Sequence, residues 1–384
     1  MNDQPTPAPL TGVTVVDLGQ VLATPFATYL LGLLGAEVIK VEPLGGDWLR
    51  SSHVRSFATQ NAGKQSLAID LRTGEGVEVV LRLVERADVF VEGFAPGVAD
   101  AIGIGWEAVR SRRDSIVYGS LSAFGDEGPY GGRPGFDHVV QAVSGTMWTT
   151  GFDGGPPVKV GAPYLDYGSG LLLAFGVLAG LLEQRRTGAA TRVDVTMLDV
   201  GLLLNASAMV HTHATQTSPP RTGNNAFSGA IASGAFETAD GWLMLAANKV
   251  RHHRRLEELF DIELTIGDVD GARALLQPIF LTRPAADWEA FLNDEGVPAA
   301  KVRRLDEVTA EGHPTTRGLL TPVTMPDDSE LHLPGAGVRL NGTMPGPTSA
   351  PPALGQHTRS QLASIGYTAD EITDLIDRAI VGSA

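Results

Sequence analysis

Residues 13–41 read VTVVDLGQVLATPFATYLLGLLGAEVIKV, and this stretch decides the fold. The apolar, β-branched run Val13–Leu18 is typical of a strand, and Glu37–Val41 is a second run of the same kind. Between them, Pro25 fits the first turn of a helix and Gly35 fits its C-terminal stop. A strand, a helix and a strand in this order predict a parallel sheet that is covered by helices.

The same alternation continues along the chain. Further strands are predicted at 67–71, 88–92, 115–121 and 192–197, and helices at 76–86, 137–144, 167–186 and 198–215. A polar Pro/Gly stretch at 216–225 is typical of a linker or an active-site loop, and a hairpin and further helices follow it. We therefore expect an α/β fold with a large domain, 1–215 and 326–384, and a small α+β domain, 216–325. An amphipathic helix at 369–380 should pack back on the large domain.

The composition excludes several classes of function. The net charge of −15 makes a nucleic-acid or anionic-membrane partner improbable, and the absence of cysteine excludes disulfides and thiolate metal sites. The first ten residues are polar and lack Lys and Arg, so we expect no secretory leader. The apolar stretch Gly168–Leu182 is shorter than the roughly 20 residues that span a bilayer, which favours a buried helix. We expect a cytoplasmic protein without a metal site.

One carboxylate stands out among the candidates for chemistry. Asp166 lies between a Gly/Pro-rich stretch and a strongly apolar helix. Asp before a helix is a common N-cap, and this alternative stays open beside a catalytic role. The two interpretations are compatible, because a helix N-terminus favours the anionic carboxylate that a nucleophile needs.

The chain resembles a known family over nearly its whole length. The fragments that carry the resemblance include Leu10–Leu18, Leu34–Pro43, Gly46–Arg50, Phe236–Gly241 and Gly355–Thr358. Their order and spacing resemble the family III CoA-transferases, the CaiB/BaiF group, which also includes formyl-CoA transferase and α-methylacyl-CoA racemase. The resemblance implies a Rossmann-like large domain and an interlocked homodimer.

The resemblance also implies a reaction and a set of site residues. It places Asp166 at the family's nucleophilic aspartate, which attacks an acyl-CoA thioester and passes CoA to a small carboxylic acid through aspartyl anhydride and thioester intermediates. CoA is then a substrate, and no permanently bound cofactor is expected. Backbone N–H groups near Gly229 and Gly234, or in the turn 22–24, are candidates for stabilising the oxyanion. The implied CoA contacts are Val21, Leu22, Ala23, Arg50, Lys64, Ile69, Arg72, Phe94 and Phe136, with Arg50 the best candidate for a phosphate contact.

The sequence departs from the family's pattern at two places. Phe136 stands where the racemases carry a histidine, and because phenylalanine cannot move a proton, racemase activity is not expected. Gly93, Ala95 and Ala101 stand where Asn and two Arg are usual, so free CoA thioesters should bind more weakly than is usual.

These departures leave alternatives open. The same acyl-aspartyl chemistry could take its acyl group from a carrier-protein thioester, or pass it to a different acceptor. The chain could also be a non-catalytic paralogue. Neither the donor nor the acceptor acid is specified by the sequence.

Overall fold

The computed structural model describes residues 8–226 and 228–384. The expected lack of a secretory leader concerns mainly residues 1–7, which lie outside the described residues.

The described residues form strands in both halves of the chain. In chain order they are β1 Thr14–Asp17, β2 Glu37–Glu42, β3 Gln65–Ile69, β4 Val89–Glu92, β5 Val117–Ser122, β6 Thr191–Thr196, β7 Ala232–Glu237, β8 Trp242–Ala247, β9 Ala299–Lys301, β10 Leu320–Thr324, β11 Glu330–Pro334 and β12 Val381–Gly382.

Helices connect these strands. They are α1 Ala23–Leu33, α2 Leu49–Ser52, α3 Val54–Asn61, α4 Gly74–Val84, α5 Val98–Ile102, α6 Trp106–Arg112, α7 Asp137–Val143, α8 Thr146–Thr149, α9 Tyr164–Thr187, α10 Met197–Leu204, α11 Ala206–Thr215, α12 Val250–Phe260, α13 Val269–Phe280, α14 Ala285–Asp294, α15 Leu305–Ala310, α16 His313–Thr316, α17 Thr358–Ser364 and α18 Ala369–Asp377.

A seven-stranded sheet forms the centre of the first unit, in the order β12-β3-β2-β1-β4-β5-β6. Every pairing is parallel except that of β12 with β3, where Val381 lies opposite Ile69. The strands alternate with helices along the chain, as the pattern at 13–41 predicts. The predicted α/β class and the predicted parallel sheet are confirmed, and the tail packs back on this unit as expected.

Two apolar layers cover this sheet. One is built around Val80, Phe90 and Leu362, and the other around Leu31, Val91 and Leu173. The large domain is Rossmann-like in the sense that helices bury both faces of a parallel sheet.

The chain divides into two compact units. One comprises the residues up to Ser144 with Gly161–Ala206 and Pro314–Ala384, and the other comprises Gly145–Val160 with Ser207–His313. Three segments, 145–160, 207–215 and 314–325, therefore fall differently from the predicted boundaries. Residues 145–160 join the second unit because Arg221 and Gly223 bond to backbone carbonyls of that segment. The hairpin β10–β11 joins the first unit, where Val323 and Leu333 pack on Tyr29.

The second unit has its own core. The sheet β7-β8-β9 is antiparallel, and Phe236 on β7 packs edge-on against Phe280 of α13. Phe280 in turn contacts Trp288 of α14, whose indole N–H donates to the Phe280 carbonyl at 2.8 Å. The predicted hairpin and its helices are present.

Helix α9 differs from its predicted form in two ways. It begins at Tyr164, three residues earlier than expected, and its 24 residues make it the one helix among residues 8–226 and 228–384 that is long and apolar enough to cross a membrane. One side of α9 is buried on the sheet, where Leu173 and Val177 are fully enclosed. The predicted helix 198–215 is interrupted at Asn205 and forms α10 and α11.

Candidate active site

The turn between β1 and α1 carries three of the predicted site residues, Val21, Leu22 and Ala23. Val21 has a left-handed backbone with φ of 65°, which is unfavourable for a β-branched residue. Its N–H donates to Oδ2 of Asp47 at 3.1 Å, and the Leu22 carbonyl accepts the first hydrogen bond of α1 from Phe26. The turn is therefore held in shape by Asp47, a residue to which the sequence analysis gave no role.

Buried ion pairs lie beneath this turn. Lys40 Nζ lies 3.1 Å from Asp47 and donates to the Gly19 carbonyl at 2.7 Å. Lys64 Nζ lies 2.9 Å from Asp17 and also donates to the Pro25 carbonyl at 2.8 Å. Lys64 is a predicted CoA contact, but its ammonium group is enclosed by these partners. A contact with phosphate would require it to leave a buried carboxylate unpaired.

Arg50 is bound in a similar way. Its Nε and Nη2 donate to the two carboxylate oxygens of Glu42, each at 2.7 Å, and its Nη1 donates to the Pro352 carbonyl at 2.8 Å. The guanidinium also lies 4.1 Å from the centre of the Phe57 ring. The fork that was predicted to hold phosphate therefore already holds a carboxylate, and a phosphate contact would compete with it.

Asp166 lies in the first turn of α9 and is not its N-cap. Pro163 occupies the N-cap position and has no side chain that can cap, so the N-cap interpretation of Asp166 is wrong. The acceptor comes from Asp137 at the start of α7, whose Oδ2 accepts from the N–H groups of Leu165 at 2.8 Å and Asp166 at 3.4 Å. A carboxylate 29 residues earlier in the chain thus caps the helix that carries Asp166.

The ionisation of Asp166 also differs from expectation. Burial, together with the negative charge of Asp137, raises the pKa of Asp166 to about 7. A helix N-terminus was expected to favour the ionised form, but the carboxylate of Asp137 already accepts from the N–H groups of that turn. At neutral pH the carboxyl group of Asp166 is therefore close to its titration midpoint.

Helices α1 and α9 bring the β1–α1 turn next to the start of α9. Gly170, one turn after Asp166, packs so tightly on α1 that an added Cβ would lie 2.6 Å from the Ala23 carbonyl oxygen. Tyr167 meets Phe26 edge-on, with ring centres 4.9 Å apart. The predicted residues 21–23 and Asp166 therefore belong to one packed region.

A cavity at the carboxyl ends of β1 to β4 brings together three other predicted contacts. Ile69, Arg72 and Phe94 line a space of about 440 Å³ together with Gln20 and Leu44. In open parallel sheets, ligands bind beyond the carboxyl ends of the strands, where the strand order reverses. Here the order reverses at β1, between β2 and β4. The side chain of Arg72 is 86% exposed, and among residues 8–226 and 228–384 it forms an ion pair with Asp70 alone.

The three positions that depart from the family's pattern have different surroundings. An added Cβ on Gly93 would lie 2.6 Å from Oγ1 of Thr24, so any larger side chain would have to displace that residue. Ala95 lines a second cavity, whose other lining side chains include several carboxylates. Ala101 lies exposed on α5.

Phe136 precedes α7, next to the capping residue Asp137. Its ring is 71% exposed and is stacked on His138. The side chain at this position has no titratable group, as the sequence analysis noted.

Gly229 and Gly234 belong to the second unit. Both have positive φ angles, 68° and 155°. An added Cβ on Gly234 would lie 3.0 Å from atoms of Asn225 and Arg273, whereas Gly229 has open space around it. Their role as oxyanion donors stays a prediction.

Sequence reasoning missed Asp137 and Asp47. A signal was present for Asp137, because an acidic residue directly after Gly135-Phe136 opens a helix, but its partner is remote in sequence. Asp47 lies within the fragment Gly46–Arg50, in which Arg50 has a predicted phosphate contact and Asp47 has no predicted role.

Comparison with known proteins shows the family to which the chain belongs. The model for CoA-transferase family III matches residues 10–358. The chain is 34% identical to succinyl-CoA:mesaconate CoA-transferase from Haloarcula hispanica over 93% of this chain and 96% of that protein. It is 31% identical to succinyl-CoA:glutarate CoA-transferase from Mus musculus over 93% of this chain and 86% of that protein.

Solved structures agree with this assignment. The crystal structure of Rv3272 from M. tuberculosis matches with a TM-score of 0.82 and 31% identity, over 92% of this chain and 99% of that chain. A CAIB/BAIF family protein from Brucella suis matches with a TM-score of 0.83 and 28% identity, over 94% of this chain and 100% of that chain. The chain therefore belongs to family III of the CoA-transferases and is an enzyme whose substrates are CoA thioesters.

Proposed function

We propose that this enzyme transfers CoA from an acyl-CoA to a small carboxylic acid, and that the carboxylate of Asp166 is its nucleophile. One observation carries the proposal: Asp166 is a partly buried carboxylate in the first turn of α9, and its pKa is raised to about 7. No ion pair of Asp166 occurs in the part of the chain that the structure describes. A carboxylate kept unpaired near its titration midpoint is more basic than a solvated one and is available to attack a carbonyl.

The reaction consists of two matched halves. A carboxylate oxygen of Asp166 attacks the thioester carbonyl carbon, the C–S bond breaks, and CoA leaves as a thiolate. The thiolate then attacks the Asp166 carbonyl of the mixed anhydride, which releases the first acid and leaves an aspartyl-CoA thioester. The acceptor carboxylate attacks this thioester and displaces CoA. CoA then attacks the acceptor carbonyl of the new anhydride, which restores the Asp166 carboxylate.

This sequence needs no external energy source. One thioester is exchanged for another and one carboxylate for another, so the overall reaction is nearly isoenergetic. The ionised form of Asp166 is the reactive one, so activity should rise with pH through about 7 on the acid side of the profile.

The cavity lined by Ile69, Arg72 and Phe94 is the proposed place for the nucleotide end of CoA. It lies at the switch point of the sheet, and Arg72 is an exposed cation at its edge. The turn at 21–23 lies between this edge of the sheet and the start of α9, along the route that the CoA arm needs to reach Asp166. The loop with Gly229 and Gly234 remains a proposed source of oxyanion donors.

The donor and acceptor are proposed from the relatives. Those described above are named for succinyl-CoA as donor and for mesaconate or glutarate as acceptor. We therefore propose succinyl-CoA as the first donor to assay, with small dicarboxylic acids as acceptors.

A homodimer is proposed from the exposed face of α9. Leu171, Phe175 and Leu182 lie at helical spacing on one side of this helix, and each is more than half exposed. Such a row of large apolar side chains is unfavourable in water and is typical of a subunit interface. A cytoplasmic location also remains a proposal.

Hydroxylamine trapping tests the nucleophile. The enzyme is incubated with succinyl-CoA and hydroxylamine, digested, and examined by mass spectrometry for a hydroxamate on the peptide that contains Asp166. The variant Glu127→Gln, which removes an exposed carboxylate elsewhere, is the matched control and should be labelled like the wild type.

The outcomes separate the alternatives. A hydroxamate at Asp166 that depends on succinyl-CoA or another acyl-CoA supports the proposal. Labelling only by an acyl carrier protein thioester would show that the donor is a carrier-bound acyl group and not an acyl-CoA. The absence of labelling with every donor would indicate a non-catalytic paralogue.

A further inference from the structure

A second cavity lies at the carboxyl end of β4 and along the neighbouring strands β5 and β6. Its volume is about 270 Å³, which is suitable for a small molecule. The mechanism proposed above uses no residue that belongs to this cavity alone. Phe94 lies between the two cavities and lines both.

The charge of this cavity is strongly negative. Arg192 is the one cationic side chain among its described lining residues, and it already lies 3.4 Å from the carboxylate of Asp194. The carboxylates around the cavity are those of Glu92, Asp100, Glu107, Asp126 and Asp194. A ligand that binds here therefore has to be cationic, because an anion or a neutral acid would face an excess of like charge.

Glu92 is the most enclosed of these carboxylates, with 6% of the residue exposed. One oxygen accepts from the Phe94 N–H at 2.7 Å, and the other meets only the Tyr118 hydroxyl at 3.4 Å. Burial raises the pKa of Glu92 to about 7, because it outweighs the distant positive charge of Arg192 and Glu92 has no ion pair among the described residues.

A second, independent feature also indicates a missing ligand. The hydroxyl oxygen of Ser120 on β5 is buried in the lining of the cavity, and it has no hydrogen-bond partner among the described residues. Buried hydroxyl groups in native proteins nearly always have a partner. An N–H donor placed in the cavity would satisfy the free side of Glu92, and it would satisfy the Ser120 oxygen once that side chain turns toward the cavity.

The lining also indicates the kind of cation. No group of three His, Cys, Asp or Glu side chains in the described part of the chain is arranged to hold a metal ion. Two aromatic rings, those of Trp106 and Tyr118, line the cavity edge-on to each other with centres 5.8 Å apart. Aromatic faces together with dispersed carboxylates suit an organic cation with several N–H groups and an apolar stem.

We propose that this cavity binds a small organic cation that carries a guanidinium or primary ammonium group. The cation donates hydrogen bonds to Glu92 and Ser120, and its stem lies against Trp106.

Calorimetric titration of the full-length enzyme with agmatine tests the proposal. Agmatine carries both cationic groups, and butylurea, which has a similar size and no charge, is the matched ligand. Agmatine should bind at low ionic strength and butylurea should not. Glu92→Gln should weaken agmatine binding about tenfold or more, because it removes a charge from the enclosed end of the cavity.

Glu127→Gln is the matched control variant, since it removes the same charge from an exposed residue next to Asp126 without altering the cavity. It should bind agmatine within about twofold of the wild type, as expected for an exposed, screened charge. If Glu92→Gln does not fold, Asp126→Asn takes its place, because Asp126 is exposed. An equal loss in both variants would show that only the net charge attracts the cation, and this would overturn the proposal, as would the absence of binding.

Ala95→Arg provides an independent test. Ala95 lines the cavity, so an arginine at this position can place its own guanidinium among the carboxylates. This variant should lose agmatine binding and unfold at a higher temperature than the wild type. Agmatine binding that is unchanged in Ala95→Arg would show that the ligand lies elsewhere.

Discussion

The enzyme buries carboxylates in two regions and treats them differently. Beneath the β1–α1 turn, Asp17, Glu42 and Asp47 each lie within an ion-pair distance of a lysine or an arginine. At the start of α9 and at the end of β4, Asp166 and Glu92 have no cationic partner in the described part of the chain. Beneath the β1–α1 turn, the ion pairs stabilise the fold. At the start of α9 and at the end of β4, the buried carboxylates form no ion pair with a described residue.

The pKa values follow this division. Burial acts to raise the pKa of Asp17, but the ammonium groups of Lys64 and Lys40 outweigh it and hold that pKa below its usual value. For Asp166 and Glu92 nothing outweighs burial, and both pKa values rise to about 7. Since an unpaired buried carboxylate lowers stability, its presence in a fold is best explained by function. The comparison therefore supports the proposals that Asp166 is the reacting group and that Glu92 is part of a ligand site.

The largest effect is expected at Asp166. Asp166→Ala should lower kcat by at least about a thousandfold, because the proposed covalent route is lost while the protein stays folded. Steady-state assays with succinyl-CoA, with circular dichroism to check folding, measure this. Glu127→Gln should keep wild-type kcat. If a folded Asp166→Ala enzyme retained more than about a thousandth of the wild-type kcat, the nucleophile would have to be another residue.

The next largest effect is expected in the paired region. Lys64→Ala leaves Asp17 buried without its closest cation and should lower the free energy of unfolding by about 3 to 5 kcal/mol. Arg72→Ala, whose side chain is exposed and solvated, should leave the free energy of unfolding nearly unchanged. Urea denaturation compares the two variants. Equal stabilities would remove the distinction between the buried cations, which hold the fold, and the exposed Arg72 at the proposed CoA cavity.

These two predictions show how far the sequence alone could reach. The β1–α1–β2 unit was predictable because strand and helix periodicities are local, and Asp166 was proposed as the nucleophile through the family resemblance. The partners of Lys64 were not predictable, because Asp17 lies 47 residues away and only the folded sheet brings the two together. From the sequence alone, a lysine or arginine near a predicted nucleotide site that binds phosphate cannot be distinguished from one that pairs with a carboxylate of the protein.

The start of α9 was missed for a similar reason. Local rules favour an Asp as its own helix cap, but Pro163 holds that position and the acceptor comes from Asp137 on another helix. The acidic cavity was also not predictable, since its walls come from strand ends and helices that are far apart in sequence.

A moderate effect is expected at Asp137, the residue that positions Asp166. Asp137→Ala removes the acceptor for two N–H groups and should lower kcat about fivefold, in line with about 1 kcal/mol for a lost cap. Asp137→Asn keeps an acceptor and should recover most of this activity.

The pH–rate profile distinguishes this role from a merely structural one. Because the charge of Asp137 helps to raise the pKa of Asp166, Asp137→Asn should move the acid limb of kcat to lower pH. An acid limb that stays in place would mean that burial alone sets the ionisation of Asp166.

The effect expected at Glu92 concerns stability rather than kcat. The folded protein binds the Glu92 proton more tightly than the unfolded chain does, because the pKa rises from its ordinary 4.5 to about 7 on folding. The free energy of unfolding therefore falls as the pH rises across this interval, and the loss is complete above about pH 7. Glu92→Gln keeps an acceptor for the Phe94 N–H but carries no charge, so it avoids that loss. The gain in stability of Glu92→Gln over the wild type should grow from about pH 5 and level off above about pH 7, and each unit of pKa shift corresponds to about 1.4 kcal/mol.

Urea denaturation at about pH 5.5, 7 and 8.5, values that bracket the titration, measures this gain. The control variant Glu127→Gln should show no gain. A gain of equal size at every pH would assign the effect to packing. No gain at pH 8.5 would mean that Glu92 has a cationic partner in solution, and the comparison between the two regions would then rest on Asp166 alone.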